Sequence, residues 1–451
     1  MHSMKSIQRA LLATSFLGSL AAHAGTEITP AAIETPPSTA TGLLLGKFTG
    51  ESTYDKIWSA AILYKNDNNP ILQEFALQGR LQVQYADGHS DNGHFDIEDF
   101  KNASAANDQT VWGDHFEARR ARLGFKSKWF QNWKLEGQID ADTTDGADDI
   151  YRDIYDLYLT YAPSDALNVT VGKTKVKFGR EQEISSKEIL TFERSLVSNL
   201  FFPGELTGIM VNGKGLFDHW SYELGVYGAD RAQEFASFDQ GTVTLGKVGY
   251  DYSSQAGLDT AIASFQYMHN TDPGYKEMDD NNFYASGSPA FTDSIALTND
   301  LTLGRFGLTT DILYGFGFEG TAEQAGTQKT LNQTDVFGIS LIPSYFIADG
   351  LQLVGRFQWA TGGDAEAKNG STPATSNLGV PNRYEKWAPS VIQNGESYTS
   401  FYLGLNYYLY GHKLKIMNGI EYSSMDGGLA KKNQTASYDG YTFLSGLRFS
   451  F

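Results

Sequence analysis

The chain has 451 residues, with 35 Lys plus Arg against 53 Asp plus Glu, a net charge of −18 and no cysteine. Such charge would repel a phosphate polyanion, so nucleic acid is excluded as the main partner, and without cysteine there is no disulfide framework, thiolate catalysis or thiolate metal site. A mean hydropathy of −0.34 excludes a polytopic helical membrane protein, where apolar runs of about 20 residues would dominate.

At the N-terminus, Lys5 and Arg9 precede an apolar core from Ala10 to Ala22 and the small-residue site Ala22-His23-Ala24. This is the pattern of a Sec-type export signal over 1–24, cut after Ala24, with a core too short to span a bilayer. No cysteine follows the cut, so a lipoprotein is not expected. From Gly25 to about Gly50 the chain is rich in Thr, Pro, Ala and Gly, a composition that cannot bury much surface and reads as a flexible lead-in. Tyr54, Ile57, Trp58, Ala61 and Ile62 then recur at helical spacing. They predict a short helix over 54–65 that docks on a larger β structure and ends near Asn66-Asp67-Asn68-Asn69-Pro70. Residues 25–72 therefore form an extension, and the main body occupies 73–451.

That body is a run of strands, in keeping with 25 Tyr, 28 Phe and 47 Gly but only 12 Pro. Phe75, Leu77, Leu81, Val83 and Tyr85 alternate with Gln78, Arg80, Gln82 and Gln84; Leu351, Leu353, Phe357 and Trp359 alternate with Gln352, Arg356 and Gln358. A period of two puts each set on its own face of a sheet. Sixteen candidate strands start near 74, 116, 132, 151, 166, 205, 219, 241, 256, 290, 300, 334, 350, 398, 413 and 437. Short connections, such as Asn299–Asp300 and Gln255–Gly257, alternate with long ones, such as 88–115, 143–150, 177–204, 319–333, 362–397 and 425–436. Alternating connections and an even strand count predict an all-β fold: a transmembrane antiparallel β-barrel of about 16 strands, with short periplasmic turns and long extracellular loops. A barrel in lipid must also close, because an open edge would leave backbone groups unpaired in hydrocarbon. The final strand, with Tyr441, Phe443, Leu447, Phe449 and Phe451 on one parity, ends as outer-membrane barrels of Gram-negative bacteria typically do, which sets the location in the outer membrane.

If the apolar parity faces lipid, the other lines the lumen. There Arg80, Arg120, Arg122, Lys134, Arg356, Lys415 and Arg448 meet Glu136, Asp140, Asp156, Glu223 and Glu421. This small basic excess, in a chain that is acidic overall, moves the expected preference from cations toward anions, because a narrow low-dielectric channel focuses local fields.

Phe116-Glu117-Ala118-Arg119-Arg120-Ala121-Arg122-Leu123-Gly124-Phe125 resembles the phosphate-selective porin O and P family. Four stretches follow in matching order: Asp156–Tyr161, Val171–Glu181, Leu190–Ser195 and Leu224–Tyr227. Leu403–Tyr408 and the Phe451 end also fit. The resemblance implies a sixteen-stranded, usually trimeric channel for phosphate and polyphosphate, whose third loop, here about 177–204, folds inward as the constriction. It further implies pore-lining or anion-binding roles for the bases at matching positions: Arg119, Arg120, Arg122, Lys173, Lys175, Lys177, Arg180 and Arg194. Arg offers a planar fork to phosphate oxygens and Lys a point charge. Strict alternation sets Lys173 and Lys175 on the face of Val169 and Val171, toward lipid, unless a bulge at Gly172 or an early start to the loop turns them inward. Glu181, Glu183, Glu188 and Glu193 bring the loop close to neutral, and Pro203-Gly204-Glu205-Leu206-Thr207-Gly208 lacks the arginine that family members often show before the glycine.

Expected partners are small anions such as phosphate, outer-membrane lipid and lipopolysaccharide, and two further copies of the chain; no cofactor or resident metal is expected. Gly315-Phe316-Gly317-Phe318-Glu319-Gly320 has dinucleotide glycine spacing but closes a strand and opens no helix. Asp140-Ala141-Asp142-Thr143-Thr144-Asp145-Gly146 resembles a calcium loop one residue out of register, without the final glutamate. Other readings of the barrel are a general or weakly cation-selective diffusion porin, favoured by the acidic loops, and a structural barrel with a plugged lumen. The remaining one is an outer-membrane phospholipase, which needs a Ser-His pair on the lipid-facing rim, whereas His219 and His412 fall in expected turns.

Overall fold

Period-two alternation becomes sixteen long antiparallel strands in the computed structural model, which describes residues 52–89, 114–141, 151–215, 217–229, 234–239, 241–271, 291–317, 319–324, 327–332, 334–362, 396–430 and 434–451. The signal segment 1–24, most of the lead-in, and most of the loops expected at 88–115, 143–150 and 362–397 lie outside the described residues.

The barrel strands are β1 (Leu72–His89), β2 (Asp114–Trp129), β3 (Trp133–Ala141), β4 (Tyr151–Ser164), β5 (Leu167–Lys175), β6 (Glu205–Lys214), β7 (Trp220–Gly228) and β8 (Thr242–Asp251). They continue as β9 (Thr260–Asn270), β10 (Asp293–Leu303), β11 (Phe306–Phe316), β12 (Val336–Ala348), β13 (Leu351–Thr361), β14 (Ser397–Tyr410), β15 (Leu414–Ala430) and β16 (Gln434–Ser450). Each pairs with the next, and β16 pairs with β1 from Tyr441↔His89 to Ser450↔Arg80, closing a sixteen-stranded barrel.

Register shows why closure and alternation go together. Across β15 and β16, Ile416 faces Leu447 and Ile420 faces Phe443 on the outside, while Lys415 faces Arg448 and Glu421 faces Thr442 inside. Cross-strand partners share a face, so one register sorts both strands at once. Phe443 is 49% exposed on the outer face and Arg448 1% exposed on the inner one.

At the tight-turn end β1 runs past the end of β16. Gly79 exchanges both backbone hydrogen bonds with Phe451, and the short strand Ile62–Lys65 pairs with Glu74–Ala76 beyond it. The edge that β16 leaves open is thus covered, as an unpaired edge must be. The expected helix is shorter than 54–65: Thr53–Ser59, started by a capping box in which Ser52 and Asp55 satisfy each other's backbone N–H groups. The backbone of Ile62–Lys65 goes to the β1 edge instead. Trp58 docks the helix, donating from Nε1 to the Ser450 carbonyl at 2.6 Å and packing on Tyr410 and Phe449.

Three other expectations are corrected. The turn expected at Asn299–Asp300 sits at Gly304-Arg305, where Gly304 takes φ 58°. Asn299 and Asp300 stay paired with Thr310 and Thr309, because Asp300 has inward partners in Arg180 and the Thr309 hydroxyl. The strand expected from 256 begins at Thr260, since Ser253–Ala256 winds into a helical turn whose first N–H is accepted by Asp251. The loop expected over 425–436 is mostly sheet: after a bulge beyond Met425, β15 and β16 pair out to Ala430↔Gln434. A separate hairpin, Glu319–Gln324 with Thr327–Asn332, occupies the loop expected at 319–333. Short and long connections therefore do not alternate strictly.

The docked helix gives a direct test. Trp58→Ala should lower barrel stability by about 3 kcal/mol, read as an earlier transition when unfolding in detergent is followed by gel mobility. Channel conductance should stay at the wild-type value, because Trp58 lies at the strand ends, against Tyr410 and Phe449.

Candidate functional site

The connection between β5 and β6, residues 176–204, folds into the barrel, as the expected inward loop at 177–204 would. Its position follows from where its polar groups go. The Gly179 N–H donates to Gln266 on β9 at 2.8 Å. The Asp311 carboxylate on β11 accepts the N–H groups of Arg180 at 2.5 Å and Glu181 at 2.9 Å. At the loop's far end Ser186 is held by Arg80 and by Gln82, which donates to the Ser186 carbonyl at 2.8 Å, and Lys187 donates to the main-chain oxygen of Phe451 at 3.2 Å.

On the way back, wall side chains take up the loop's carbonyls almost in succession. Lys415 donates to Ile189 at 2.6 Å, Asn406 to Leu190 at 2.8 Å, Arg448 to Phe192 at 2.8 Å and Arg356 to Glu193 at 2.6 Å. A buried carbonyl left unpaired would be costly, so these donors fix the loop where it lies. Glu181 ties the two legs together by accepting both the N–H and the hydroxyl of Ser195.

Apolar anchors complete the seat. Val176, Phe178, Leu196, Val197 and Phe201 pack on Leu206, Tyr227, Val243, Met268 and Leu313 of the wall. Phe192 packs separately among Ile342, Val354, Tyr402 and Leu444. Each fully buried phenylalanine contributes about 2 kcal/mol. The inner face is thus not polar throughout: where the loop leans on the wall, the inward parity is apolar, which alternation alone does not reveal.

The bases singled out in the sequence fall as follows. A register shift between Gln82 and Val83 leaves Arg119 as an extra residue on β2, so Arg119 and Arg120 both reach the same inner carboxylate. That carboxylate is Glu193: Arg119 Nε lies 2.8 Å and Arg120 Nη2 3.1 Å from it, and Gln82 accepts from Arg120 at 2.8 Å. Burial pushes the Glu193 carboxyl up, and the charges of Arg119 and Arg120 outweigh it, holding it at about 2. Arg122 pairs with Asp140 at 2.9 Å and lies over the Tyr155 ring.

No register shift falls at Gly172, which stays paired with Tyr158 and Gly208, so the expected bulge is absent; its φ of 134°, where a Cβ would collide with the Leu157 carbonyl, still requires glycine. Beyond it Lys173 stays in register with Leu157 and Thr207 and is 8% exposed, and Lys175 turns to the loop, donating to the Gln182 carbonyl at 2.7 Å. Lys177 is exposed. Arg180 pairs with Asp300 at 2.6 Å and Glu183 at 3.1 Å, and Arg194 donates to the carbonyls of Glu181 and Ile184. The eight bases therefore do not form one cluster. Arg119 and Arg120 converge, while the others have separate partners or stand apart.

The sequence reading named Glu181 and Glu193 only as charge that neutralises the loop; here Glu181 joins the loop's two legs through Ser195, and Glu193 meets Arg119 and Arg120 of the wall. Asp311 and Gln266 were not singled out at all, and the only available signal was their inward parity.

Charge divides around the ring. Arg80, Arg119, Arg120, Arg122, Arg356, Lys415 and Arg448 come from the arc β13 through β16 to β2, with Glu117 and Glu421 among them, while Glu223, Asp300 and Asp311 come from β7, β10 and β11 on the opposite side, with Lys247 of β8 facing Glu223. Some of these groups stay wet: the side chains of Arg119 and Arg180 keep 23% and 31% of their surface exposed inside the barrel.

The family model described as phosphate-selective porin O and P matches residues 90–451. No curated protein matches the chain by sequence. Among solved structures, OmpF of Salmonella typhi in complex with daunomycin is 11% identical with a TM-score of 0.53, covering 86% of this chain and 100% of its own. Outer-membrane expressed OmpT of Vibrio cholerae is 11% identical with a TM-score of 0.50, again covering 86% and 100%. At such identities the likeness is one of fold.

Asp311 carries the first anchor of the loop, and Asp311→Ala removes a carboxylate that accepts two N–H groups, at a local cost of about 3 kcal/mol. The variant should show a larger single-channel conductance and faster tryptic cleavage after Lys177 or Arg180. An unchanged conductance with intact loop would show that Gln266 and the apolar anchors suffice.

Proposed function

Because the chain belongs to the phosphate-selective porin O and P family, whose description matches residues 90–451, we propose that this outer-membrane channel protein conducts small anions passively, with phosphate or polyphosphate among its solutes. The observation that carries the reading is the one-sided distribution of inner bases. Seven guanidinium and ammonium groups on contiguous strands outnumber the inward acids of the same arc, Glu117 and Glu421, and the Arg119 side chain keeps 23% of its surface exposed. In a narrow channel with low-dielectric walls that local field decides which ion enters, more than the −18 of the whole chain. Lys177, exposed where the loop begins, and Arg180 supply further positive groups along the loop.

Export through the Sec pathway after removal of 1–24, assembly as a homotrimer and contact with lipopolysaccharide belong to the same reading, and they rest on the leader sequence and on the family. The second reading, a general or weakly cation-selective pore, is favoured by Asp300 and Glu183, which face the lumen opposite the basic arc and pair with Arg180.

Reversal potential in a KCl gradient across a planar bilayer separates the two. The expected sign is that of an anion-preferring pore, with chloride current reduced by millimolar phosphate, and Lys175→Ala or Lys177→Ala should each move the reversal potential toward zero. A cation sign would overturn the anion reading, and chloride current indifferent to phosphate would remove phosphate from the solutes.

A further inference from the structure

The convergence of Arg119 and Arg120 on Glu193 has the form of an occupied anion site. One Glu193 oxygen accepts from Arg119 Nε at 2.8 Å; the other accepts from Arg120 Nη2 at 3.1 Å and lies 3.4 Å from Arg119 Nη2. Two guanidinium groups sharing the oxygens of one anion is the geometry in which arginines hold carboxylate or phosphate. The bulge that turns both residues inward builds a fork whose present occupant is a side chain of the protein itself.

Two features of this ion pair bear on exchange with a solute. It is open to water, with 23% of the Arg119 side chain and 13% of Glu193 exposed, whereas Arg356 facing Glu421 is 3% exposed. And the loop does not depend on it for its course. Around Glu193, the carbonyls of Ile189, Leu190, Phe192 and of Glu193 itself are taken by Lys415, Asn406, Arg448 and Arg356. The backbone is held whether or not the carboxylate stays in the fork, so the side chain can leave without taking the loop with it.

We propose that Glu193 is a tethered occupant of the Arg119–Arg120 fork, a specificity-determining carboxylate that a passing oxyanion displaces and that returns when the oxyanion leaves. The inference deepens the channel reading above and rests on it. Intramolecular competition of this kind keeps the fork from holding an anion so long that it blocks the pore, since a conducting site must bind weakly enough to release. A resident carboxylate also leaves the fork one net positive charge.

The test uses the full-length protein in planar bilayers with inorganic phosphate as the probe. Glu193→Gln keeps the side chain's shape and removes its charge. Glu183→Gln makes the same charge change elsewhere on the same loop, where Glu183 pairs with Arg180 and Lys247. In Glu193→Gln, tryptic cleavage after Lys177 and Arg180 should stay at the wild-type rate, while phosphate half-blocks the chloride current at about tenfold lower concentration than in wild type, the scale of one charge-assisted hydrogen bond. Glu183→Gln should show no such gain, and adding Arg119→Gln to Glu193→Gln should abolish it. Equal phosphate sensitivity in the two single variants would reduce the effect to long-range charge and overturn the proposal. So would faster tryptic cleavage of Glu193→Gln after Lys177 or Arg180, which would make the carboxylate a lock on the loop. A cation-selective wild type would overturn the proposed function instead, and the comparison between the two single variants would still decide this inference.

Discussion

In hydrocarbon a backbone N–H or C=O has no water to turn to, and that single constraint shapes the molecule from the wall inward. It forces the sheet to close, β16 onto β1, and it explains the short strand Ile62–Lys65, which pairs the stretch of β1 that β16 does not reach. The same rule then governs the inside. A loop of nearly thirty residues brought into the barrel carries its own backbone polar groups away from bulk water, and each needs a partner there. The inward bases of β13, β15 and β16 serve as those partners: Arg356, Lys415 and Arg448 spend hydrogen bonds on loop carbonyls.

This changes what an inner arginine means. From the sequence, bases on the lumen parity read as groups waiting for an anion. In the fold most of them are committed, Arg356 to Glu421 and a carbonyl, Arg122 to Asp140, Arg194 to two carbonyls. A buried charge without a partner costs several kcal/mol, so a wall rich in arginine is stable only if the loop or the neighbouring strands supply acceptors. What remains for a solute is the small set that is both charged and wet, with Arg119, Lys177 and Arg180 foremost.

The fold was legible because its signal is the strongest a sequence can carry: a two-residue period repeated sixteen times, with a face-sorting consequence at every strand. Where boundaries failed, polar residues were responsible. Asn299-Asp300 has turn composition, yet Asp300 stays in its strand because Arg180, far away along the chain, meets it inside. Residues 253–256 and the span beyond Met425 failed similarly, through a capped helical turn and an extended hairpin that composition does not distinguish from coil. The helix over 54–65 was placed correctly and drawn too long, since helical spacing at Ile62 could not show that a sheet edge was open beside it. For the site, residue types were legible and pairings were not. That two adjacent arginines both face inward depends on a bulge at Gln82/Val83, a property of the register with no signature in either strand alone.

The balance of charge inside follows from these commitments. The loop's carboxylates bring it close to neutral, which on paper argues against an anion channel. But Glu181 is turned to Ser195, Glu183 to Lys247 and Arg180, and Glu193 to the arginine fork, so three of the loop's four acids meet partners within the protein, and Glu188 is exposed. Neutralised pairs contribute dipoles where isolated groups would contribute full charges, and their fields fall off faster with distance. The field along the path is then set by the few groups left wet, and by which side of the ring they stand on. A chain of net −18 can in this way present a basic arc to its lumen, because net charge is summed over the whole surface while selectivity is decided over a few ångströms.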